Sequence, residues 1–238
     1  MIWRSVTCFS LAIFLALAAA HAATVSGAVS LRDSRVDAVN KHRDYSGIVI
    51  SLVPVNGTVA MPAPKHATMT QKNKMFMPHL LPVLAGTTVD FPNFDPIFHN
   101  AFSSYNGQIF DVGLYPPGST KSVRFTRAGV VRVFCNIHPA MSALILVLST
   151  PYFTATEKDG SFEIDVPPGA YDLNVFHERA TEQTLQQLSR RILVTDKPQR
   201  ESPIAVSESG YLPAPHKNKY GNDYGAPPDD TVSYGRNR

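Results

Sequence analysis

The sequence predicts an all-β protein made of two small domains. Apolar and polar residues alternate in most of its apolar runs, which is the pattern of strands that bury one face. The 14 glycines and 19 prolines, together with nine tyrosines and 13 phenylalanines, favour short strands and turns over long helices. A length of 238 residues suits two domains of modest size.

Residues 1–22 have the pattern of a secretory signal peptide. Arg4 supplies a basic start, residues 11–17 are apolar, and residues 20–22 form a small-residue cleavage pattern. The apolar stretch is shorter than the roughly 20 residues that a membrane-spanning helix needs. We therefore expect a protein in the periplasm or secreted, with no integral membrane segment after signal removal.

Eleven runs after the signal peptide are predicted strands. They lie at residues 23–31, 47–55, 69–75, 79–84, 87–91, 122–126, 130–134, 143–148, 152–156, 161–166 and 170–176. Leu185, Leu188 and Ile192 have helical spacing and predict one short helix. Residues 206–238 are rich in Gly, Pro, Asn, Asp and Ser, so we expect a disordered tail there.

Charge and cysteine content exclude several classes of protein. A net charge of +3 is too small to imply binding to nucleic acid. The two cysteines, Cys8 and Cys135, exclude a disulfide scaffold and a zinc site of four thiolates. Signal cleavage leaves Cys135 alone in an oxidising compartment, where it is a core residue, a reactive thiol or a metal ligand.

The segment from 133 to 141 carries the most chemistry. Cys135, His138 and Met141 lie within seven residues, between two apolar strands. A thiolate, an imidazole and a thioether are ligands of mononuclear electron-transfer copper centres, which use one further imidazole. His99, in the loop after the predicted strand 87–91, is the candidate for that ligand. A nucleophilic role for Cys135 is disfavoured, because no orienting Asn or Asp can be identified.

Residues 66–150 resemble the cupredoxins, the type 1 blue copper proteins such as plastocyanin and amicyanin. The resemblance rests on the Cys-x-x-His-x-x-Met loop, the His99-Asn100 pair, the Pro-Gly-Ser turn at 117–119 and the Ala-Gly turn at 128–129. The loop spacing is more similar to that of amicyanin than to that of plastocyanin. The resemblance implies a Greek-key β-sandwich that binds one type 1 copper ion.

The resemblance also implies roles for individual residues. The copper ligands would be His99, Cys135 and His138 in the equatorial plane and Met141 as the weak axial ligand. Asn100 and Asn136 would lie just outside the ligands, and the amide of Asn100 would tie its loop to the loop of Cys135 by a hydrogen bond. Electrons would pass through His138 at an apolar surface formed by Pro96, Ile97, Phe98, Pro139 and Ala140.

A second resemblance lies after the copper segment. Residues 154–162 and 167–173 resemble the latter half of a carboxypeptidase regulatory-like, or transthyretin-like, β-sandwich. Such modules begin with a Val-x-Gly strand and a strand rich in valine and isoleucine, which match residues 25–27 and 48–52. We therefore expect a discontinuous sandwich of residues 23–57 and 151–205, with a cupredoxin at 58–150 inserted in it. In the alternative, tandem order, residues 23–65 extend the cupredoxin at its N-terminus.

The leading functional hypothesis is an exported single-electron carrier that meets a redox partner protein and is not an enzyme. The alternative is a copper-binding protein for copper resistance, storage or delivery without redox turnover, and a third hypothesis is a β-module with a vestigial site. Thioethers and imidazoles also bind Cu(I), so a second copper site is conceivable near Met61, Met69, Met75, Met77 and His79. The alternation of the last three favours a strand whose methionines fill a core.

Overall fold

The computed structural model describes residues 22–57, 59–63, 65–104, 107–212 and 215–225. The predicted signal peptide, apart from Ala22, lies outside these described residues. The predicted all-β fold is confirmed, since strands dominate and two short helices accompany them in the described ranges. No helix within those ranges is long and apolar enough to cross a membrane.

The strands and helices have the following bounds. The strands are β1 (Ala23–Arg32), β2 (Val49–Pro54), β3 (His66–Thr68), β4 (Thr70–Lys72), β5 (Met75–Met77), β6 (Leu80–Leu84), β7 (Thr88–Pro92), β8 (Phe102–Ser103), β9 (Phe110–Asp111), β10 (Thr120–Arg124), β11 (Gly129–Phe134), β12 (Ser142–Leu148), β13 (Phe153–Ala155), β14 (Ser161–Val166), β15 (Gly169–Phe176), β16 (Arg190–Val194), β17 (Gln199–Arg200) and β18 (Ile204–Ser207). The helices are α1 (Asp37–His42) and α2 (Glu182–Leu188).

Strands from both ends of the chain form one sandwich, which we call the terminal sandwich. In its first sheet β1 pairs with β14 on one side and with β17 and β18 on the other. In its second sheet the order is β13-β2-β15-β16. Alternate residues of β1 are buried, and they share a core with Ile50 of β2 and Leu173 of β15. The inserted arrangement requires this pairing of early strands with late ones.

Strands β3 to β12 form a second sandwich, the inner sandwich. One sheet has the order β6-β12-β11-β8-β9, the other has the order β10-β7-β3, and β4 and β5 make a hairpin. Its separate core is built around Phe91, Phe125 and Ile145, and it includes Cys135 and Met141. The candidate ligands therefore sit where one end of this core meets the loops.

One predicted strand is divided in the structure, and the predicted helix is shorter than its apolar spacing indicates. The predicted strand 69–75 is divided between β4 and β5 by a turn at Asn73 and Lys74, which have φ values of 55° and 56°. The predicted helix ends at Leu188, and Ile192 instead lies in β16, because the chain becomes extended at Ser189.

The described part of the C-terminal tail, residues 206–212 and 215–225, makes specific contacts that its composition does not predict. Strand β18 runs to Ser207 alongside β1. Glu208 is buried and accepts hydrogen bonds from His177, Arg179 and Ser34. Residues 215–225 contact the inner sandwich. Specific polar and aromatic contacts hold the described part of the tail in place. Amino-acid composition alone cannot predict such contacts.

Candidate metal centre

Two paired strands present the segment that we call the Cys loop, residues 135–141. Strands β11 and β12 pair in register up to Phe134 opposite Ser142, so Cys135 directly follows one strand and Met141 directly precedes the other. The backbone N–H of Cys135 donates to the carbonyl of Met141 at 3.1 Å, and that of Met141 donates to the carbonyl of His138 at 3.0 Å. These two hydrogen bonds close the Cys loop, which carries three of the candidate ligands.

His99 reaches the same point from the loop after β7. Its backbone forms a two-way bridge with Tyr115, in which each N–H donates to the other residue's carbonyl, at 3.2 and 2.9 Å. The side chain of His99 is fully buried. This bridge fixes the backbone of His99 against that of Tyr115.

Three of the predicted ligands converge in the structure. The Sγ atom of Cys135 lies 3.8 Å from Nδ1 of His99 and 3.6 Å from Nδ1 of His138. One ligand atom from each residue lies within 4.8 Å of the others, and all three residues are buried. The two imidazole centroids are 4.9 Å apart with the rings inclined at 63°. The space among these atoms suits one metal ion.

Met141 completes the set of predicted ligands. It is fully buried in the same apolar cluster as Cys135, and its backbone contacts both Cys135 and His138. A thiolate, two imidazoles and a thioether in an apolar shell form the donor set of a type 1 copper site. The residues present therefore fit one copper ion.

A buried carboxylate orients the first histidine. The Oδ2 atom of Asp95 lies 2.7 Å from Nε2 of His99, and Asp95 also accepts hydrogen bonds from the backbone N–H groups of Asn73 and Lys74 at 2.6 and 2.8 Å. Burial acts to raise the pKa of Asp95, but the donors from Lys74, His99 and Asn73 outweigh it and lower that pKa. The carboxylate thus holds the His99 ring with Nδ1 toward Cys135. Asp95 was not predicted as a site residue, because nothing in the sequence links it to the turn at Asn73 and Lys74.

Backbone donors surround the sulfur of Cys135. Burial raises the pKa of the Cys135 thiol, while hydrogen bonds from the N–H groups of Ile137, Asn100 and His138 act in the opposite direction. Metal binding requires the thiolate form. These N–H groups stabilise the negative sulfur in a site that is otherwise apolar.

Asn100 does not form the side-chain hydrogen bond to the Cys loop that was expected of it, and Asn136, for which no contact was predicted, also forms a hydrogen bond. The amide of Asn100 donates to Oδ1 of Asp111 at 2.7 Å, instead of reaching the Cys loop. Its backbone N–H is the group that faces the sulfur of Cys135. Oδ1 of Asn136 accepts a hydrogen bond of 3.0 Å from the backbone N–H of Lys219.

The apolar surface expected around His138 is present only in part. Pro96, Pro139 and Ala140 are exposed, whereas Ile97 is buried, and its carbonyl accepts a 2.8 Å hydrogen bond from the side chain of Asn93. His138 itself is 6% exposed.

The methionines considered for a second copper site do not share one environment. Met69 belongs to the inner core, whereas Met61 is exposed. Met75 and Met77 are exposed on either side of the buried Phe76, so the expectation that they fill a core is wrong. Residues of β5 do alternate between buried and exposed, as predicted, but Phe76 faces the core and the two methionines face away from it.

Several solved structures are similar to part of this chain. A copper-containing nitrite reductase from Thermus scotoductus SA-01 is 26% identical over 42% of this chain and 25% of its own, with a TM-score of 0.34. A purple cupredoxin from Nitrosopumilus maritimus is 26% identical over 35% of this chain and 98% of its own, with a TM-score of 0.31. An oxidised variant of amicyanin is 20% identical over 43% of this chain and 99% of its own, with a TM-score of 0.33.

The chain thus spans about a quarter of the length of the nitrite reductase. No protein-family model and no curated protein matches it. Because the TM-scores are low, the fit to copper depends on the donor set and its geometry.

Proposed function

We propose that this protein binds one type 1 copper ion and carries single electrons to and from a redox partner protein. The observation that carries the proposal is the convergence of the buried Cys135, His99 and His138 ligand atoms within 4.8 Å of one another. Met141 is proposed as the weak axial ligand. Copper in such a site supplies one-electron chemistry by alternating between Cu(II) and Cu(I).

The burial of the ligands favours a carrier over a storage or delivery protein. A delivery protein passes its ion to the ligands of another protein, which must reach the metal. Cys135 and His99 are fully buried here, and His99 is also fixed by Asp95. A site that holds its ligands in the same positions in the Cu(II) and Cu(I) states is suited to fast electron exchange.

The same geometry supports a carrier over an enzyme. With Met141 as the fourth donor, the proposed buried site would leave no open position at which a substrate could bind the metal. Electron exchange needs only a close approach to a ligand. Exposed Pro139 and Ala140, next to His138 in the Cys loop, form the proposed docking surface, which is small enough for the brief contacts of redox carriers.

We propose that the chain is an exported protein of the periplasm or the extracellular space. The predicted signal peptide at 1–22 supports this location. We further propose that the terminal sandwich is a transthyretin-like module of residues 23–57 and 151–205, interrupted by the copper domain at 58–150. The pairing of β1 with β14 and of β2 with β15 supports that division. The module would support or dock the copper domain.

The proposal is tested by the spectrum and the voltammetry of the copper-loaded protein. The thiolate of Cys135 should produce an intense visible charge-transfer band with Cu(II), and the band should be absent in Cys135→Ser. The wild type should also show a reversible one-electron wave. A protein that binds copper but loses it on each reduction would contradict the carrier and favour storage or delivery.

A further inference from the structure

The last described residues of the chain, 215–225, lie across the outside of the Cys loop. We call residues 215–225 the C-terminal strap. It contacts residues 134, 135, 136 and 139, so it touches the segment that supplies Cys135 and His138 on both sides of the cysteine. No strand of the inner sandwich includes it.

His216 anchors the first part of the C-terminal strap. Its imidazole packs on the ring of Phe134, with centroids 3.9 Å apart and an angle of 31° between the planes. Its Nε2 lies 2.8 Å from the carbonyl oxygen of Pro139, which can only accept, so Nε2 donates. One side chain therefore spans the Cys loop from the residue before Cys135 to the residue after His138.

Tyr224 contacts the backbone of a ligand directly. Its hydroxyl donates to the carbonyl of Cys135 at 2.9 Å and also lies 3.2 Å from Nδ1 of His216. Strand β11 ends at Phe134, so no strand pairing is available to this carbonyl. The hydroxyl of Tyr224 thus supplies the hydrogen-bond partner that this carbonyl of a buried residue needs, and it holds the backbone of Cys135 in place.

Lys219 connects the C-terminal strap to both ligand-bearing loops. Its backbone N–H donates to Asn136 in the Cys loop, and its Nζ lies 2.7 Å from Oδ2 of Asp111. The other oxygen of Asp111 accepts the 2.7 Å hydrogen bond from Asn100, the neighbour of His99. The ion pair with Asp111 raises the pKa of Lys219, so the ammonium group stays charged. The link expected between Asn100 and the Cys loop thus passes through Asp111 and Lys219.

We propose that the C-terminal strap is a positioning element of the metal centre, which clamps the Cys loop and joins it to the loop of His99 through Tyr224 and Lys219. The inference rests on the proposed copper site, and it assigns the fixed ligand geometry partly to a segment outside the sandwich. Tyr224 and Lys219 act on the ligands through the backbone and through Asn136, Asp111 and Asn100. They do not touch the metal position themselves.

The test compares two single substitutions with two matched controls. Tyr224→Phe removes the hydroxyl and keeps the ring, and Lys219→Met removes the ammonium group while keeping the backbone bond to Asn136. Tyr152→Phe is the first control, because Tyr152 lies in the terminal sandwich, where its ring packs on Tyr171. Lys121→Met is the second, because Lys121 is an exposed lysine on β10, a strand that pairs with β7.

The first measurement uses the copper-free protein. Cys135 is buried, so a chromogenic aromatic disulfide reacts with its thiol only when the Cys loop opens. Loss of one hydrogen bond of ordinary strength should increase that rate about fivefold, and loss of the charged contact by at least as much. The controls should react at the wild-type rate.

The second measurement uses the copper-loaded protein. Both test variants should shift the position or the intensity ratio of the visible bands and should lose copper to a chelator several-fold faster than wild type. If wild-type protein shows no thiolate-to-copper band, the proposed function fails while the thiol rates still test the clamp. Wild-type thiol rates in both Tyr224→Phe and Lys219→Met would overturn the proposal.

Discussion

Asp95 and His99 share a 2.7 Å hydrogen bond inside the protein, and the nitrogen on the other side of the same imidazole faces the sulfur of Cys135. The backbone of the turn at Asn73 and Lys74 holds the Asp95 carboxylate in turn. A hairpin that supplies none of the candidate ligands therefore fixes the ring of His99. The β4–β5 hairpin is thereby part of the candidate metal centre.

We predict that Asp95→Asn weakens copper binding about 10- to 100-fold, which is the usual cost of losing an outer partner of a ligating histidine. An amide cannot accept from His99 and from both N–H groups of the turn without placing its own NH₂ against a donor. Competition with a copper chelator measures the effect. Asp90→Asn is the control, because Asp90 bonds to Ser122 and His66 on the outside of β7. Equal affinity in the two variants would contradict the role of Asp95.

Met141→Leu tests the axial position. The axial bond of a type 1 site is weak and long, so we expect the variant to keep copper and an intense colour while its reduction potential rises. Voltammetry measures the change. Met69→Leu is the control, because Met69 is equally buried in the same core and should leave the potential unchanged. Complete loss of copper in Met141→Leu alone would indicate a different geometry.

His79 and Glu178 connect the two sandwiches through a 2.6 Å contact, and its strength should depend on pH. The hydrogen bond to Glu178 raises the pKa of His79 above 6.5, although burial acts against it. Burial acts to raise the pKa of Glu178, but the contacts with His79 and nearby arginines lower it below 4.5. The contribution of His79 to the free energy of unfolding is complete below pH 6.5 and is lost as the pH rises through the raised pKa of His79. The contribution of Glu178 is complete above pH 4.5 and is lost as the pH falls through the lowered pKa of Glu178.

We therefore expect His79→Gln to reduce the free energy of unfolding most at about pH 5 to 6. The difference from wild type should shrink toward pH 9 and again toward pH 3. Because the His79 side chain is about half exposed, the effect should be small at high salt. Urea unfolding across this pH range measures it, with the exposed His42→Gln as control. A difference that stays constant with pH would show that the ion pair does not contribute.

Cys135, His138 and Met141 could be identified as candidate ligands from the sequence because they lie in one short loop in the order that the chemistry needs. Strands such as β1 could be predicted because their apolar and polar residues alternate, and this alternation indicates which face of the strand is buried. Asp95 was out of reach, since its role depends on a turn 21 and 22 residues away in the chain. Glu208 was also out of reach, because its buried contacts with His177, Arg179 and Ser34 join segments that are distant in the sequence.

A charge at Ala140 should slow electron exchange without changing the site. Ala140 is exposed in the Cys loop, and two copper proteins that meet through this surface would bring like charges together in Ala140→Glu. We expect the self-exchange rate between the oxidised and reduced forms to fall roughly tenfold or more at low salt, with the visible spectrum nearly unchanged. Ala155→Glu, at an exposed position of β13, is the control. A wild-type exchange rate in Ala140→Glu would place the docking surface elsewhere.

The strand order of the terminal sandwich predicts that residues 151–205 cannot fold without residues 23–57. Strand β1 lies between β14 and the pair β17 and β18, and β2 lies between β13 and β15, so residues 23–57 supply an inner strand to each sheet. Without them, both sheets are split and residues 151–205 lose the core that they share with Val25 and Ile50. We expect residues 151–205 alone to show no cooperative unfolding transition.

The points where the chain leaves and re-enters this sandwich are neighbours, which makes a stricter test possible. The hydroxyl of Thr150 donates to the carbonyl of Leu52 at 2.8 Å, and Phe153 pairs with Ser51. A short Gly/Ser linker that replaces residues 58–149 should therefore let residues 22–57 and 150–212 fold together. Urea unfolding followed by circular dichroism should show one cooperative transition for this joined chain. Cooperative unfolding of residues 151–205 by themselves would contradict the inserted arrangement, because it would mean that β1 and β2 are dispensable to the sheets in which they lie.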